Sequence, residues 1–287
     1  MAIRIINRLK PQEGQEEMTF VDHLEALRWH IVRSLLAIII IGIVIFINID
    51  WVFDRVIAGP LQNDFISYRA MCSFSHLIHL GDALCMPPIN IKMQTTTFSS
   101  QFMSSITIAF MGGFIAAFPY IFWELWSFIK PALTPKEVKH ASGSIFWVSL
   151  FFFTGAAFGY FLLGPFTFNF LANYTIGTTQ LLEAKPTLTD YLDNLLDIIL
   201  GCGIAFELPV LAYVLTKIGL ITPEILRSSR KYAVVVILVI SAVITPSPDW
   251  TSQMLVFVPL FLLYQLSIVI SKRAYKEEQK REAEEWS

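Results

Sequence analysis

The sequence predicts an all-α integral membrane protein that crosses the bilayer six times with both termini on the cytoplasmic side. Three observations carry this reading. Of 287 residues, 55% are hydrophobic and only 15% charged, with mean hydropathy +0.58, more apolar content than a soluble core of this length needs. Apolar runs recur at about 20 residues, the length that spans ~30 Å of hydrocarbon at ~1.5 Å per residue. Lys and Arg also sort by loop: seventeen of the 21 fall in 1–34, 125–143, 216–231 and 271–287, and four in 50–97 and 169–190. The richer set is expected inside. The net charge of −2 and pI near 6.2 average segments of opposite character and say nothing by themselves about nucleic acid, which is not among the expected partners.

Taken in order, residues 1–30 are charged throughout and lack an apolar stretch followed by small residues, so no cleavable signal is expected and the first apolar run stays as an anchor. Phe20 to His30 reads as an amphipathic helix leading into the first span, 31–49, with Asp22, Glu25 and Arg28 along one side and Leu24 and Leu27 on another. A long polar loop follows on the outer side. It holds Cys72 and Cys85, a possible disulfide pair or two free thiols, because spacing alone does not fix their Cα separation. The second, third and fourth spans are placed at 98–123, 144–168 and 193–216. The stretch 232–271 is interrupted by Thr245-Pro246-Ser247-Pro248-Asp249, which splits it into two short spans, 232–245 and 251–271, joined by a tight hairpin. The fifth span is then shorter than a bilayer is thick. The six-helix unit covers 20–271, between a tail at 1–19 and a mixed-charge cytoplasmic tail at 272–287 expected to be helical near the membrane. Trp51, Phe53, Trp123, Trp126 and Trp250 fall at interfacial depth, the usual place for an aromatic belt.

Ionisable groups inside apolar runs are the candidate functional residues, since they are costly there. Glu207 lies near the middle of the fourth span. It must be protonated, bonded to a neighbouring helix or turned to a polar groove, and Pro209 should kink the helix beside it. Asp190, Asp193 and Asp197 share a face at the start of that span, as a solvated helix start would. Asp197 and Glu207 together open a rival reading, a proton-coupled secondary transporter of a small solute. Glu124 and Glu137, at the end of the second span and in the loop after it, suit guanidinium forks, or else bond to Lys130, Lys136 or Lys139. HExxH and GxSxG are absent, and no His or Cys cluster has metal spacing. His76 and His79 could share a helical turn, but no metal, cofactor or enzymatic activity is expected.

His23-Leu24 with Leu27-Arg28, the block from Phe118 to Glu137, Phe158-Gly159-Tyr160, Phe206-Glu207-Leu208-Pro209-Val210, and Asp249 with Ser252-Gln253 occur in an order that resembles the TatC family, the receptor subunit of the twin-arginine protein translocase, from Phe20 to Ser271. The resemblance implies a concave six-helix fold in the bacterial cytoplasmic (inner) membrane. It also implies binding, without catalysis, of twin-arginine signal peptides on folded cargo, transport driven by the proton-motive force, and assembly with single-span TatA- and TatB-type subunits and further copies of itself. By the same resemblance, acids of the N-terminal segment and of the loop after span two read the signal. The loop acid matches Glu137 with Phe128 beside it, and Arg28 and Glu124 lie in the same matched blocks. The groove acid matches Glu207, and partner-contact positions match Thr245, Asp249 and Gln253. One departure stands out: where the family pattern His-Leu-x-Glu-Leu-Arg has its glutamate, this chain has Ala26. Glu25 points about 100° away on a helix, and Asp22 lies about 5.4 Å up the axis on the face of Ala26. Asp22, Glu25 or both are expected to stand in, or Glu137 reads the arginines nearly alone.

Overall fold

A computed structural model describes residues 20–62, 64–77, 85, 93–129, 144–174, 185–217, 219–245 and 250–286. Its helices are α1 (Phe20–Ile47), α2 (Ile66–Leu77), α3 (Ser100–Ile129), α4 (Ser144–Phe158), α5 (Gly164–Asn173), α6 (Leu188–Ala205), α7 (Leu208–Lys217), α8 (Pro223–Ser228), α9 (Arg230–Ile244) and α10 (Trp250–Trp286). Among the described residues, five stretches are long and apolar enough to cross a membrane: Leu24–Ile47, Ser100–Ile129, Ile145–Asn173, Leu188–Lys217 and Gln253–Glu277. Apolar side chains on α1, such as Leu36, Ile40, Ile43 and Ile47, face outward, as expected where the solvent is lipid.

The core forms around α6. Half of its apolar stretch is buried against 11% for that of α1. Tyr191, Leu195, Ile198 and Cys202 of α6 belong to one buried core with Leu163, Phe168 and, from α10, Val256, Leu260 and Ile268. The α4–α6 contact is close because Gly159 leaves room: a Cβ there would lie 2.9 Å from the Ile198 carbonyl oxygen. A π-helical turn, Gly159–Leu163, carries α4 into α5 without a break. α1 lies along α3, and the two backbones approach at Gly42 and Gly113. A Cβ on Gly113 would come 2.7 Å from Ile38 O and 3.0 Å from Gly42 N, so only glycine permits this spacing.

At the other end of α1 the chain turns through Phe53–Ile57 and Gly59–Leu61, where the Phe53 and Gly59 carbonyls accept from Ala58 and Gln62 N–H and those of Val56, Ile57 and Pro60 need other donors. Three tyrosine hydroxyls satisfy them: Tyr160 donates to Val56 O (2.6 Å), Tyr191 to Ile57 O (2.6 Å) and Tyr68 of α2 to Pro60 O (2.7 Å). Burial pushes the Tyr68 phenol well above its ordinary range, which keeps it a donor. The segment before α3 and the segment before α6 are stitched together by Gln94 N–H donating to Pro186 O (3.1 Å) and Leu188 N–H to Gln94 O (3.0 Å).

Several expectations need correction. The fourth span begins earlier, at Leu188, where Thr187 and Asp190 form a capping box. The last helix is not short: α10 runs 37 residues, because the charged tail continues the helix and Glu277 reaches back to Lys217 of α7 at 3.8 Å. α9, at the place of the expected fifth span, has 15 residues, about 22 Å by helix rise. Trp126 is a core residue, 7% exposed, whereas Trp51, Trp123 and Trp250 are exposed. The hairpin tip, 246–249, lies outside the described residues.

Candidate functional site

The end of the molecule where α1 begins and α3 ends carries an acid network that links the two helices. Glu124, 2% exposed on the last turns of α3, has both carboxylate oxygens engaged. The Tyr120 hydroxyl donates to Oε1 (2.7 Å), and His30 Nδ1 of α1 lies 2.5 Å from Oε2. Tyr120 stands one turn before Glu124 and so shares its face. His30 also meets the ring of Phe128 edge-on, centroids 6.0 Å apart. Beside this network is a cavity of about 270 Å³ whose lining includes Leu27, His30, Ser34, Leu35, Ile38 and Phe128. Its walls are apolar apart from His30 and Ser34, and the Ser34 hydroxyl is turned to His30 O at 2.9 Å.

The candidate residues fall into three groups around this geometry. Phe128 lines the cavity, and Leu27 joins it from the turn that carries Ala26. Glu25 and Arg28 are exposed on the same segment of α1, and Asp22 lies on its first turn. Glu124 is buried with His30 and Tyr120 on its two oxygens, and Lys130, Lys136 and Lys139 lie outside the described residues. Glu137 lies outside the described residues.

Glu207 sits where α6 stops and α7 begins. Pro209 has no N–H to give to the Ala205 carbonyl, so the helix opens at Phe206 and Glu207 before Leu208 resumes it. Glu207 is buried, and its carboxyl Oε1 has no hydrogen-bond partner among the described residues. Asp197 is exposed on α6, about 15 Å along the axis from Glu207 by helix rise. Asp190 and Asp193 are exposed as well, as a solvated helix start requires.

The positions matched to partner contacts are held by their own chain. Thr245 is buried and donates to Ser241 O (2.8 Å), and the Gln253 amide donates to Leu238 O (3.2 Å), tying α10 to α9. Asp249 lies outside the described residues. Cys72 and Cys85 are joined in a disulfide. Sequence reasoning missed His30. The available signal was an imidazole and a carboxylate each set at the end of an apolar run, where a buried acid needs a donor.

Fold and site together define a polytopic α-helical membrane protein with a buried acid at each of two helix ends. Residues 22–259 match the family of Sec-independent protein translocase protein (TatC). The chain is 38% identical over 258 residues to the TatC protein of Blattabacterium sp. subsp. Periplaneta americana, covering 90% of this chain and 96% of that one. To the TatC protein of Aquifex aeolicus it is 32% identical over 261 residues, covering 91% and 97%. A crystal structure described as the twin-arginine translocase receptor TatC superposes with a TM-score of 0.65 at 33% identity, covering 88% of this chain and 99% of that one. The chain belongs to the TatC family, a family of protein translocase components rather than enzymes.

Proposed function

We propose that the chain is the signal-peptide receptor and core subunit of a twin-arginine translocase in the bacterial cytoplasmic membrane, with six spans and both termini inside. The supporting observation is the cavity between α1 and α3, lined by apolar side chains and edged by His30, Phe128 and the segment that carries Glu25 and Arg28. An arginine pair of a signal peptide docks beside it, read by Glu137 with Asp22 and Glu25, while the peptide's apolar stretch lies on Leu27, Leu35 and Phe128. Glu124 acts one step back, fixing His30 at the cavity wall. Glu207 faces the groove that receives the deeper part of the signal, and its Oε1, without a partner among the described residues, is the group such a segment would meet. Thr245, Asp249 and Gln253 lie where TatA- and TatB-type subunits pack, further copies of the chain complete the assembly, and the proton-motive force drives transport.

The test is the affinity of the purified protein in lipid for one twin-arginine signal peptide and for its twin-lysine counterpart. The arginine form should bind more tightly, and Glu137→Ala should remove that preference. Equal affinity for both forms would refute the receptor reading. Glu207→Gln should reduce export and signal crosslinking to the groove; if both are unchanged, the groove role is wrong.

A further inference from the structure

Away from this site, α2 in the outer loop gathers three side chains with metal-ligating atoms. Cys72 and His76 are four residues apart and therefore on one helical face, and Cys85 returns from the loop to bond with Cys72. His76 Nε2 lies 3.7 Å from Cys72 Sγ and 3.9 Å from Cys85 Sγ, and the three ligand atoms all lie within 4.8 Å of one another. His76 is exposed and the cysteines are partly so, which leaves the cluster open to small solutes.

These distances have a chemical meaning. In a tetrahedral zinc site with Zn–S of about 2.3 Å and Zn–N of about 2.0–2.1 Å, the sulfur–nitrogen edge is about 3.6 Å and the sulfur–sulfur edge about 3.8 Å. Both sulfur–nitrogen edges are already in place. The sulfurs need only part to van der Waals contact, which reduction of their bond allows. The backbone would survive that change, because α2 is also held by Tyr68, whose hydroxyl donates to Pro60 O at 2.7 Å and lies 3.3 Å from Pro165 O.

We propose that Cys72, His76 and Cys85 form an exchangeable thiol–metal site. Oxidised, the cysteines are a disulfide. Reduced, the two thiolates and the His76 imidazole hold one thiophilic divalent cation, Zn2+ by the chemistry of the donor set, with water as fourth ligand. A dithiol reductant delivers the two electrons: the Cys72–Cys85 bond breaks, each sulfur takes a proton, and the reductant leaves as its own disulfide. Binding of Zn2+ then releases the two thiol protons to solvent. The inference does not depend on the signal-receptor reading, since no residue is shared.

The experiment uses the full-length, tag-free protein in detergent, either oxidised or treated with a dithiol that is then removed under argon. Zn2+ is titrated in competition with a chromophoric chelator, and Co2+ serves as a second probe whose thiolate charge-transfer band reports sulfur ligation. The reduced protein should bind one Zn2+ and show the band, and the oxidised protein should do neither. His76→Ala should weaken binding by about tenfold or more, a loss that even a supporting residue of a metal site produces, while the thiol count stays that of the reduced parent. His76→Cys should restore it. The double variant C72S/C85S should bind none at this site, with Cys202 present as in the parent. Stoichiometric binding that is equal in both redox states, or unchanged by His76→Ala, overturns the proposal, as does a reduced protein that takes up no Zn2+. Helicity by circular dichroism accompanies each variant, and His76→Ala decides the matter if the double variant does not fold.

Discussion

Glu124 has one oxygen against His30 and the other against Tyr120, so a substitution there acts on three side chains at once. Glu124→Ala takes the acceptor from partly buried His30 and from exposed Tyr120 and should lower stability by about 0.5–1.5 kcal/mol, read as a fall in Tm in detergent. Glu124→Gln, which keeps the shape and one acceptor, should lose less than half as much. If the two variants unfold together, the network is not what holds this end. At Ala26 the expected change is a gain: Ala26→Glu adds a carboxylate one turn after Asp22, and a charge-assisted pair worth about 1.5 kcal/mol or more should tighten signal-peptide binding about tenfold or more. An unchanged Kd would mean that Asp22 and Glu25 already supply the charge. The acid at 124 and the candidate segment of α1 were legible in the sequence because charge in an apolar run is conspicuous. The pairing of His30 with Glu124 was not, since the residues are 94 positions apart and only the α1–α3 crossing brings them together.

The α1–α3 pair depends on backbones that touch at Gly42 and Gly113. Gly113→Leu must push α1 outward, and overpacking of this kind costs about 1–3 kcal/mol. The cavity beside His30 lies between the same two helices, so the variant should also lose signal-peptide affinity, whereas a Leu substitution at lipid-facing Ile40 should leave both Tm and Kd unchanged. The positions of the long helices were readable because the thickness of hydrocarbon sets their length. The break beside Glu207 was readable as a kink at Pro209, although the helix opens two or three residues earlier, where the missing N–H leaves the Ala205 carbonyl without its donor. The length of α10 was not readable. Its charged tail reads as helical near the membrane and frayed beyond it, whereas α7 supplies Lys217 opposite Glu277, and Thr216 and Ser271 meet at 2.7 Å in a buried seam.

At the scale of the whole molecule, the proposed topology places α2 outside and α8 inside. In intact cells a membrane-impermeant maleimide should label Asp64→Cys, and it should label Ser228→Cys only after permeabilisation; the opposite pattern would invert the protein. Stability should also depend on alkaline pH. The Tyr68 phenol is raised above its ordinary value of 10.0 in the folded protein, so its contribution is complete below about pH 10 and is lost as pH rises toward the folded value, where the unfolded chain ionises first. Tyr68→Phe should flatten part of that fall, measured as Tm against pH. The rim that Tyr68 shares with Tyr160 and Tyr191 is fastened through three phenolic oxygens to three loop carbonyls. Phenylalanine would fill the same space at each of these positions and satisfy any selection for hydrophobicity, yet it would delete the atom that sets where the loop lies. A lineage drifting under pressure for lipid solubility alone could therefore keep every ring of this rim and still lose its shape.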